Sequence, residues 1–257
     1  MLARNHQATV GQFDLFHDLA PEELERVLAA GHVYEVAQGE YFFHQGEESL
    51  MLYVLSAGRV KLSQVTPDGQ QVIVAYFGAG EGLGIVMALN GMPYPLSAEA
   101  IEPCLAVGWT REAMLALMQD NAQLALNGMR MVGARFAQMQ SRFQELATQR
   151  VERRVARALL RLVRQFGRRV PEGVLIDIAI SREELGQMTG TNLYNVSRIL
   201  SKWEQAGWIT TARATPPPPL VAVTPGRKVN LPAAPKPASG APVAPSTTRW
   251  SHDSVTR

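Results

Sequence analysis

The most constraining stretch of the sequence runs from residue 181 to residue 209 and predicts two short helices joined by a tight turn. Ser181 can accept free N–H groups at the start of the first helix, and Glu184 follows three residues later, which forms a capping box. Gly190 can adopt positive φ in the turn. In the second helix, apolar residues recur at helical spacing, which predicts a buried face. These residues are Val196, Ile199, Leu200 and Trp203.

Polar side chains lie mostly away from that apolar face. Thr191 or Asn192 can cap the second helix. Asn and Arg side chains can form bidentate contacts with base edges, and Lys, Thr and Ser side chains can reach phosphates. The local pattern therefore fits a helix-turn-helix that enters the major groove of DNA, and it fits a helical hairpin with a solvated face equally well. On the first interpretation the DNA-binding residues are Ser181, Arg182, Thr191, Asn192, Tyr194, Asn195, Ser197, Arg198 and Lys202.

Charge is distributed unevenly along the chain, although the net charge is only +2. Residues 1–120 carry 5 basic and 15 acidic residues, whereas residues 147–215 carry 12 basic and 6 acidic residues. A basic second part that coincides with the two short helices favours binding to a polyanion there.

The region between His32 and Trp109 predicts β-structure. Short β-rich segments alternate with glycines and with the turn sequence Pro67-Asp68-Gly69, a pattern typical of a sandwich or small barrel. A short helix with Pro21 in its first turn precedes this region. The predicted strands are His32–Val36, Tyr41–His44, Leu52–Leu55, Arg59–Val65, Gln70–Phe77 and Leu105–Trp109.

From Thr110 to about Leu146 the pattern predicts one long helix with a heptad-like apolar seam. Packing of the seam on its own domain is one interpretation. A seam of this length favours a second, in which it pairs with its twin in a parallel homodimer. Two-fold symmetry would then place two recognition helices about one DNA turn apart and match a palindromic operator. The seam residues are Met129, Val132, Phe136, Met139, Phe143 and Leu146.

Residues 150–169 contain eight arginines and one glutamate. Six of the arginines form one helical stripe, opposite an apolar stripe that predicts a core-facing side. The arginine stripe is either a solvated face or, nearest the duplex, a source of salt-dependent phosphate contacts. Its members are Arg150, Arg154, Arg157, Arg161, Arg164 and Arg168.

Over roughly residues 10 to 211 the chain resembles the Crp/Fnr family of transcription regulators. The resemblance to the family's DNA-binding motif lies in the residues from Ser181 to Gly186, in Thr189-Gly190 and in the residues from Val196 to Leu200. The sequence motif Thr-Gly-Thr-x-x-Tyr-x-Val-Ser-Arg is most similar to that of the nitrogen-oxide-responsive branch. Gly46-Glu47 and the residues from Leu52 to Leu62 resemble the family's jelly-roll sensor domain.

The resemblance implies an α+β chain with a cyclic-nucleotide-binding-like β jelly-roll sensor domain at residues 10–120 and a dimerisation helix at 110–146. It also implies a winged helix-turn-helix at 147–223. Pro216–Pro219 interrupt the expected wing hairpin, which leaves the wing open to question. Residues 224–257 are rich in Pro, Ala and Ser, so we expect a disordered tail.

In the family's cyclic-nucleotide sensors, a glycine-rich loop binds the phosphate, a Glu holds the ribose and an Arg pairs with the phosphate. Here Ile85 follows Gly84, and no Arg occurs between Arg59 and Arg111. A buried phosphate without a cation is costly, so we expect no tight binding of cyclic AMP or cyclic GMP. The same loop also fits a plain tight turn. The candidate effector-pocket residues are Gly80, Gly84, Ile85 and Tyr94.

The sequence does not identify a cofactor. The nitrogen-oxide branch implies haem, and candidate axial ligands are His17, His32, His44 and Cys104, each of which also fits an ordinary packed or exposed residue. One cysteine excludes an intramolecular disulfide and an all-cysteine metal site. No firm metal site is predicted.

The sequence therefore predicts a DNA-binding regulator rather than an enzyme, with RNA polymerase as a further expected partner. It carries no G-x-S-x-G or H-E-x-x-H motif and no cupin-type histidine cluster. The alternatives are a cyclic-nucleotide-binding module that acts through protein contacts and, with less support, a cupin-type jelly-roll enzyme. No apolar run approaches the roughly 18 residues of a membrane span, and the first residues lack a secretory signal, so we expect a cytoplasmic protein.

Overall fold

The N-terminal part of the chain folds into a sandwich of two antiparallel sheets. The structure, a computed structural model, describes residues 4–171, 173–210 and 222–223. It begins with helix α1 (Arg4–Gly11), a 3-10 turn (Asp14–Phe16) and helix α2 (Pro21–Ala29). The elements that follow are β1 (His32–Val36), β2 (Tyr41–Phe43), β3 (Met51–Ala57), β4 (Val60–Val65), β5 (Gln71–Phe77), β6 (Gly82–Leu83), α3 (Ile85–Asn90), β7 (Ser97–Ala100) and β8 (Cys104–Thr110).

The two sheets have the strand orders β1-β8-β3-β6 and β2-β7-β4-β5. Strand β3 is buried on both faces. Successive residues of a strand point to opposite sides of the sheet, so its side chains enter two different cores. Tyr53 and Leu55 lie in the core between the sheets, whereas Leu52 and Val54 lie in a second core with residues of α1 and α2. The predicted β jelly roll is confirmed.

The six predicted strands are all present, with bounds within two residues of those expected. The sequence missed β6, which has only two residues, and β7, whose Ser-Ala-Glu-Ala sequence lacks β-branched and aromatic residues. It also missed the six-residue helix α3, which starts directly after the glycine-rich loop. Helix α2 begins at Pro21, as predicted.

The predicted single helix from Thr110 to Leu146 is wrong, since two helices occupy this region. They are α4 (Arg111–Asp120) and α5 (Ala122–Thr148). Asn121 separates them with an extended backbone, φ −132° and ψ 102°, and its side chain accepts a hydrogen bond from the Leu124 N–H at 3.1 Å. An N-cap of this kind starts a new helix and is why the chain turns there. The region predicted as a dimerisation helix at 110–146 therefore spans both α4 and α5, and the six residues of the predicted seam all lie on α5.

The C-terminal part of the described chain is a small helical domain with its own sheet. Four buried residues of α6 (Val155, Leu159, Leu162 and Phe166) form the predicted core-facing stripe. The sequence missed the hairpin of β9 and β10, because Arg168 continued the arginine periodicity of the preceding helix. The elements are α6 (Val151–Phe166), β9 (Gly167–Val170), β10 (Gly173–Ile176), α7 (Arg182–Thr189), α8 (Leu193–Gln205), β11 (Ile209–Thr210) and β12 (Ala222–Val223).

The wing strands pair with each other despite the prolines that lie between them in sequence. Ile209 faces Val223 and Thr210 faces Ala222, in a sheet of order β11-β12-β10-β9. Pro216–Pro219 and the tail predicted at 224–257 lie outside the described residues. Among the helices that the structure describes, none combines the length and the hydropathy that a membrane span requires.

Candidate DNA-binding surface and effector cavity

The turn between α7 and α8 has the predicted geometry. The Ser181 hydroxyl accepts from the Glu184 N–H at 3.0 Å, and the Glu184 carboxylate accepts from the Ser181 N–H at 2.7 Å, which completes the capping box. Gly190 ends α7 at φ 61°, in the left-handed region. Asn192 caps α8 by accepting from the Asn195 N–H at 2.9 Å, which decides between Asn192 and Thr191 as the cap.

The first turns of α8 present an exposed polar surface. Tyr194 is 75% exposed, and Asn192 and Arg198 are also exposed. Asn195 is oriented by two neighbours, since its amide donates to the Thr191 hydroxyl at 3.1 Å and accepts from Arg198 at 3.4 Å. The structure therefore brings together Asn192, Tyr194, Asn195 and Arg198 at one end of α8.

The remaining predicted DNA-binding residues lie around this group, half-buried or paired. Ser181, Arg182, Thr191 and Ser197 are half-buried, and Lys202 lies two or three turns along α8, with its Nζ 3.2 Å from a Glu152 carboxylate oxygen. The sequence reasoning missed Leu193, which is 50% exposed. Its position directly after the cap was the signal, and an apolar side chain there can contact a thymine methyl group.

Half of the predicted arginine stripe is used within the protein. Arg154 donates to the backbone oxygens of Thr189 at 2.9 Å and Gly190 at 3.1 Å, and also to those of Leu146 and Gln149. This one side chain therefore ties the end of α5 to the turn between α7 and α8. Of the six stripe members, Arg150, Arg164 and Arg168 are fully on the surface, where phosphate contacts are open to them.

A second connection joins α5 to α6. Arg157 and Arg161 approach the two carboxylate oxygens of Glu145 at 2.8 and 3.1 Å. Burial alone would raise the pKa of Glu145, but the hydrogen bonds from Arg157 and Arg161 outweigh burial and lower it below the usual value. The Glu145 carboxylate therefore stabilises the junction while it is ionised.

The predicted seam forms a continuous exposed row along α5. Its six side chains are between 41% and 74% exposed, although all are large and apolar. A row of this kind is unusual on the surface of a solitary chain. The residues are Met129, Val132, Phe136, Met139, Phe143 and Leu146.

A cavity of about 430 Å³ lies between the strands β4 and β5, the loop around α3 and helix α5. Three of the four predicted effector-pocket residues line it, namely Gly84, Ile85 and Tyr94. Gly80 does not belong to the lining; it lies in the turn before β6, where its N–H donates to the Leu55 oxygen at 2.8 Å. The cavity wall is mostly aliphatic and aromatic, and the two cationic side chains in it are Arg135 and Arg142 of α5.

The end of the cavity beside α3 is filled by aromatic packing rather than by groups that bind phosphate. The Tyr94 ring stacks on Phe43 with centroids 3.8 Å apart, and its hydroxyl donates to the Met51 oxygen. Gly84 has φ 70°, and a Cβ there would lie 2.8 Å from the Tyr94 ring. Ile85 is buried where the family's ribose-binding Glu would be expected.

The three candidate haem-ligating histidines lie outside this cavity. His17 is exposed beside Asp18, and His32 is exposed at the start of β1. His44 is exposed one residue beyond β2, not in the strand as expected, with its ring 4.4 Å from Tyr41. Cys104 is buried between the sheets, and burial raises the pKa of its thiol to about 11.

These positions do not fit a haem site in the cavity, because the described lining offers neither imidazole nor thiolate to an iron. In the part of the chain that the structure describes, no three His, Cys, Asp or Glu residues gather where they could hold a metal ion.

Strand β5 lies between the cavity and the helix-turn-helix. Val74, Ala75 and Phe77 line the cavity, whereas Ile73 and Tyr76 are buried in the core of the C-terminal domain. A register shift between β4 and β5 leaves Val74 as an extra residue, and its oxygen accepts from Arg142 at 2.6 Å. Burial and the nearby Glu184 carboxylate of α7 raise the pKa of the Tyr76 hydroxyl.

Side-chain contacts hold the two domains together beside this strand. The Gln165 amide donates to the backbone oxygen of Tyr76 at 2.8 Å. The Arg59 guanidinium lies 3.0 Å from an Asp177 carboxylate oxygen. One short strand is therefore in contact with both the cavity and the core behind α7.

Comparison with known proteins assigns both regions to one family. Residues 33–121 match the model of the cyclic nucleotide-binding domain, and residues 153–215 match that of the Crp-like helix-turn-helix domain. The chain is 30% identical over 201 residues to the cyclic AMP receptor protein of Thermus thermophilus, covering 78% of this chain and 90% of that protein. It is 24% identical over 195 residues to the CRP-like cAMP-activated global transcriptional regulator of Mycobacterium tuberculosis, covering 76% and 87%.

The same fold occurs in the c-di-GMP responsive global regulator CLP of Xanthomonas campestris. The two structures superpose with a TM-score of 0.67 at 21% identity, covering 80% of this chain and 99% of that one. With the jelly roll, the long helix and the helix-turn-helix all in place, the chain belongs to the Crp/Fnr family of DNA-binding transcription regulators.

Proposed function

We propose that this regulator acts as a homodimer whose two α8 helices bind a palindromic operator, under the control of a small ligand other than cyclic AMP. The observation that carries this proposal is the pair of exposed helix surfaces, one polar on α8 and one apolar on α5. Neither surface calls for catalysis. We propose RNA polymerase as a further partner. A regulator that binds operator DNA and RNA polymerase acts in the cytoplasm, which is the location we propose.

Base recognition rests on Asn192, Tyr194, Asn195, Ser197 and Arg198. Asn195 and Arg198 are hydrogen-bonded to each other, which holds both side chains at the exposed end of α8. Asn and Arg are the side chains that form bidentate contacts with adenine and guanine in the major groove. Contacts to the DNA backbone come from a second set, which consists of Ser181, Arg182, Thr191 and Lys202.

Dimerisation follows from the exposed row on α5. Two copies packed along this row would bury six large apolar side chains from each chain, and apolar burial contributes about 25 cal/mol per Å². A parallel two-fold pair would also set the two α8 helices about one helical turn of DNA apart, roughly 34 Å. An operator with two inverted half-sites matches that symmetry.

The proposed control site is the cavity beside β5. Ile85 lines the cavity at the position where a Glu would hold the ribose of a cyclic nucleotide. The absence of that carboxylate supports an effector other than cyclic AMP or cyclic GMP. Strand β5 supplies the physical connection to the DNA-binding domain, because Val74 faces the cavity and Tyr76 faces the core behind α7. A ligand that shifts this strand changes the packing of α7.

We also propose a relationship with the nitrogen-oxide-responsive branch, and it rests on the DNA-binding motif. The sequence from Thr189 to Arg198 supports this relationship, whereas the relatives described above are regulators named for cyclic AMP. The cavity lining does not fit haem, so the proposed relationship does not include a haem effector.

The decisive experiment is selection of bound duplexes from a randomised DNA library by the full-length protein. We expect an inverted repeat with half-sites about 10 bp apart, and the Arg198→Ala variant should lose preference at one position of each half-site. Enrichment of a non-palindromic site, or no enrichment, would contradict the proposal.

The second candidate function is a cyclic-nucleotide-binding module that acts through protein contacts, which the match to the cyclic nucleotide-binding domain favours. Isothermal titration calorimetry with cyclic AMP and cyclic GMP separates the two. We expect no saturable binding in the micromolar range, and a micromolar site for either nucleotide would favour the second candidate.

A further inference from the structure

The cavity beside β5 combines an apolar wall with two arginines on one side. Helix α5 presents Met131, Arg135, Gln138 and Arg142 to the cavity. These residues recur at steps of four, three and four, so they lie on one helix face. Val132, Phe136 and Met139 of the exposed apolar row line the cavity beside them. The opposite wall is built from strands and the α3 loop, with Leu62, Phe77 and Leu83 as representative side chains.

Neither arginine has an acidic partner. Within residues 4–171 and 173–210, no carboxylate lies within ion-pairing distance of Arg135 or Arg142. Arg135 lies over the Phe77 ring at 4.9 Å and donates to the Gln138 amide oxygen at 3.4 Å, and Arg142 donates to the Val74 oxygen at 2.6 Å. A guanidinium has five N–H donors, so most of the hydrogen-bonding capacity of both side chains is free for a ligand.

The local electrostatics favour an anion at this position. Burial lowers the pKa of Arg142, the neighbouring Arg161 lowers it further, and only the Glu145 carboxylate acts in the opposite direction. An anionic group beside Arg142 would relieve this repulsion, and carboxylate is the group whose geometry matches the planar guanidinium fork.

The rest of the cavity excludes a sugar or a nucleobase. The Tyr94 hydroxyl is already bonded to the Met51 backbone, which leaves the Gln138 amide as the main uncharged polar group of the wall. Ribose hydroxyls and base edges would lose their water partners without replacement. A volume of about 430 Å³ falls in the range of small-molecule sites, about 300–1,000 Å³.

From this combination we propose that the cavity binds an apolar carboxylic acid, with its hydrocarbon body against β4, β5 and the α3 loop and its carboxylate on Arg142 and Arg135. This inference rests on the proposed regulatory function and names the ligand class of the same site. Arg142 also holds the Val74 oxygen, so a carboxylate on its free donors would be bonded to the same guanidinium as the bulge of β5. Ligand binding thereby acts, through Arg142, on the strand that packs against the DNA-binding domain.

The test uses full-length protein and three probes in isothermal titration calorimetry: decanoate, decanol and acetate. Decanoate should bind saturably, and decanol, which has the same body without the charge, should bind roughly 10- to 100-fold more weakly. Acetate, which lacks the body, should give no measurable binding. Equal affinities for decanoate and decanol, or no binding of decanoate at millimolar concentration, would overturn the proposal.

Variants locate the site. Arg142→Gln should lose roughly tenfold or more in decanoate affinity, and Arg142→Lys should fall between it and the wild type because the charge remains without the planar fork. The matched control is Arg130→Gln, on the same helix but exposed and outside the cavity lining. Equal losses in the Arg130 and Arg142 variants would place the ligand elsewhere.

The failure of this inference can be told apart from the failure of the regulatory function. If decanoate does not bind while the protein still selects an inverted repeat, only the ligand class is wrong. If decanoate binds through Arg142 but the protein selects no DNA site, the cavity assignment stands and the regulatory function fails. The thermal midpoint of each variant, measured without ligand, shows whether the variant remains folded.

Discussion

Helices α5 and α8 both carry an exposed row of side chains, and the two rows differ in kind. The row on α5 is made of large apolar residues such as Phe136 and Phe143, 69% and 74% exposed. The exposed end of α8 is polar, with Asn192, Asn195 and Arg198 at the surface or at its edge. The two rows therefore match the two different partners proposed above, a second copy of the chain and operator DNA.

The chemistry of each row defines its partner. An apolar row gains free energy only when another apolar surface excludes water from it, which a second copy of α5 would provide in the proposed homodimer. A polar row with an oriented Asn–Arg pair gains nothing from such burial but matches the donor and acceptor pattern of base edges. The difference predicts that the two rows respond in opposite ways to salt and to charge substitutions.

The largest effect is expected from charges in the α5 row. The double variant Phe136→Asp, Phe143→Asp should be monomeric in sedimentation equilibrium, because four carboxylates would face one another in the dimer. Loss of the second half-site contact should weaken operator binding by roughly 10²- to 10⁴-fold in fluorescence anisotropy.

The charge-matched control for that variant places two aspartates elsewhere on α5. Ala134 and Ser141 are exposed and lie on neither the apolar row nor the cavity face. Ala134→Asp, Ser141→Asp should remain dimeric with nearly unchanged affinity. If both double variants are monomeric, the apolar row is not the dimer interface.

The next effect concerns the polar row. Arg198→Ala should cost about 1–3 kcal/mol of operator binding if Arg198 forms a bidentate base contact, and it should relax specificity at one base pair of each half-site. Competition with single-base variants of the operator measures both quantities. Unchanged affinity would remove Arg198 from the site.

Lys202→Ala supplies the contrast on the same helix. Lys202 is exposed and paired with Glu152 two to three turns from the Asn192 cap, a position suited to phosphate. Its loss should weaken binding to all sequences alike and reduce the slope of log affinity against log salt by about 1 per half-site. A loss of affinity that depends on one base pair would show that Lys202 contacts a base and not a phosphate.

The sequence predicted the polar row better than it predicted the cavity, and the physical reason is range. Ser181, Glu184, Gly190 and Asn192 act within a few residues, so caps and turn chemistry are visible in the local pattern. The cavity is formed by residues far apart in sequence. Arg142 faces Val74 across 68 positions, a contact that no local periodicity encodes.

The same reason explains what was missed or wrong in the fold. The break at Asn121 depends on one side chain that caps a helix, within a stretch whose composition is helical on both sides. Four members of the predicted arginine stripe lie on α6, whereas Arg168 lies in β9, and the periodicity does not show that Arg154 is bonded to the α7–α8 turn.

Arg154 also determines how firmly the two rows are held relative to each other. Its guanidinium bonds the end of α5 at Leu146 and the turn at Thr189 and Gly190. Arg154→Ala leaves several carbonyl oxygens without a donor and should lower the free energy of unfolding by about 1–3 kcal/mol in urea denaturation. Arg164→Ala, an exposed stripe member on the same helix, should stay within about 0.5 kcal/mol of wild type. Equal effects would mean that Arg154 does not stabilise the junction.

The smallest effect is the pH dependence of the α5–α6 connection. Hydrogen bonds from Arg157 and Arg161 outweigh burial and hold the pKa of Glu145 below its ordinary value. The folded state therefore binds a proton here less readily than the unfolded state. The stabilisation is fully present above the ordinary pKa of Glu and is lost as the pH falls through the lower, folded-state pKa.

Glu145→Gln should accordingly destabilise the protein at pH 7 by no more than about 1 kcal/mol, because both arginines remain partly exposed to solvent. The difference from wild type should shrink as the pH falls below about 4, since the wild-type carboxyl then becomes protonated too. Urea denaturation of both proteins at several pH values measures this difference. A difference that stays constant down to pH 3 would show that Glu145 acts through packing, and that its ionised carboxylate does not hold α5 and α6 in register.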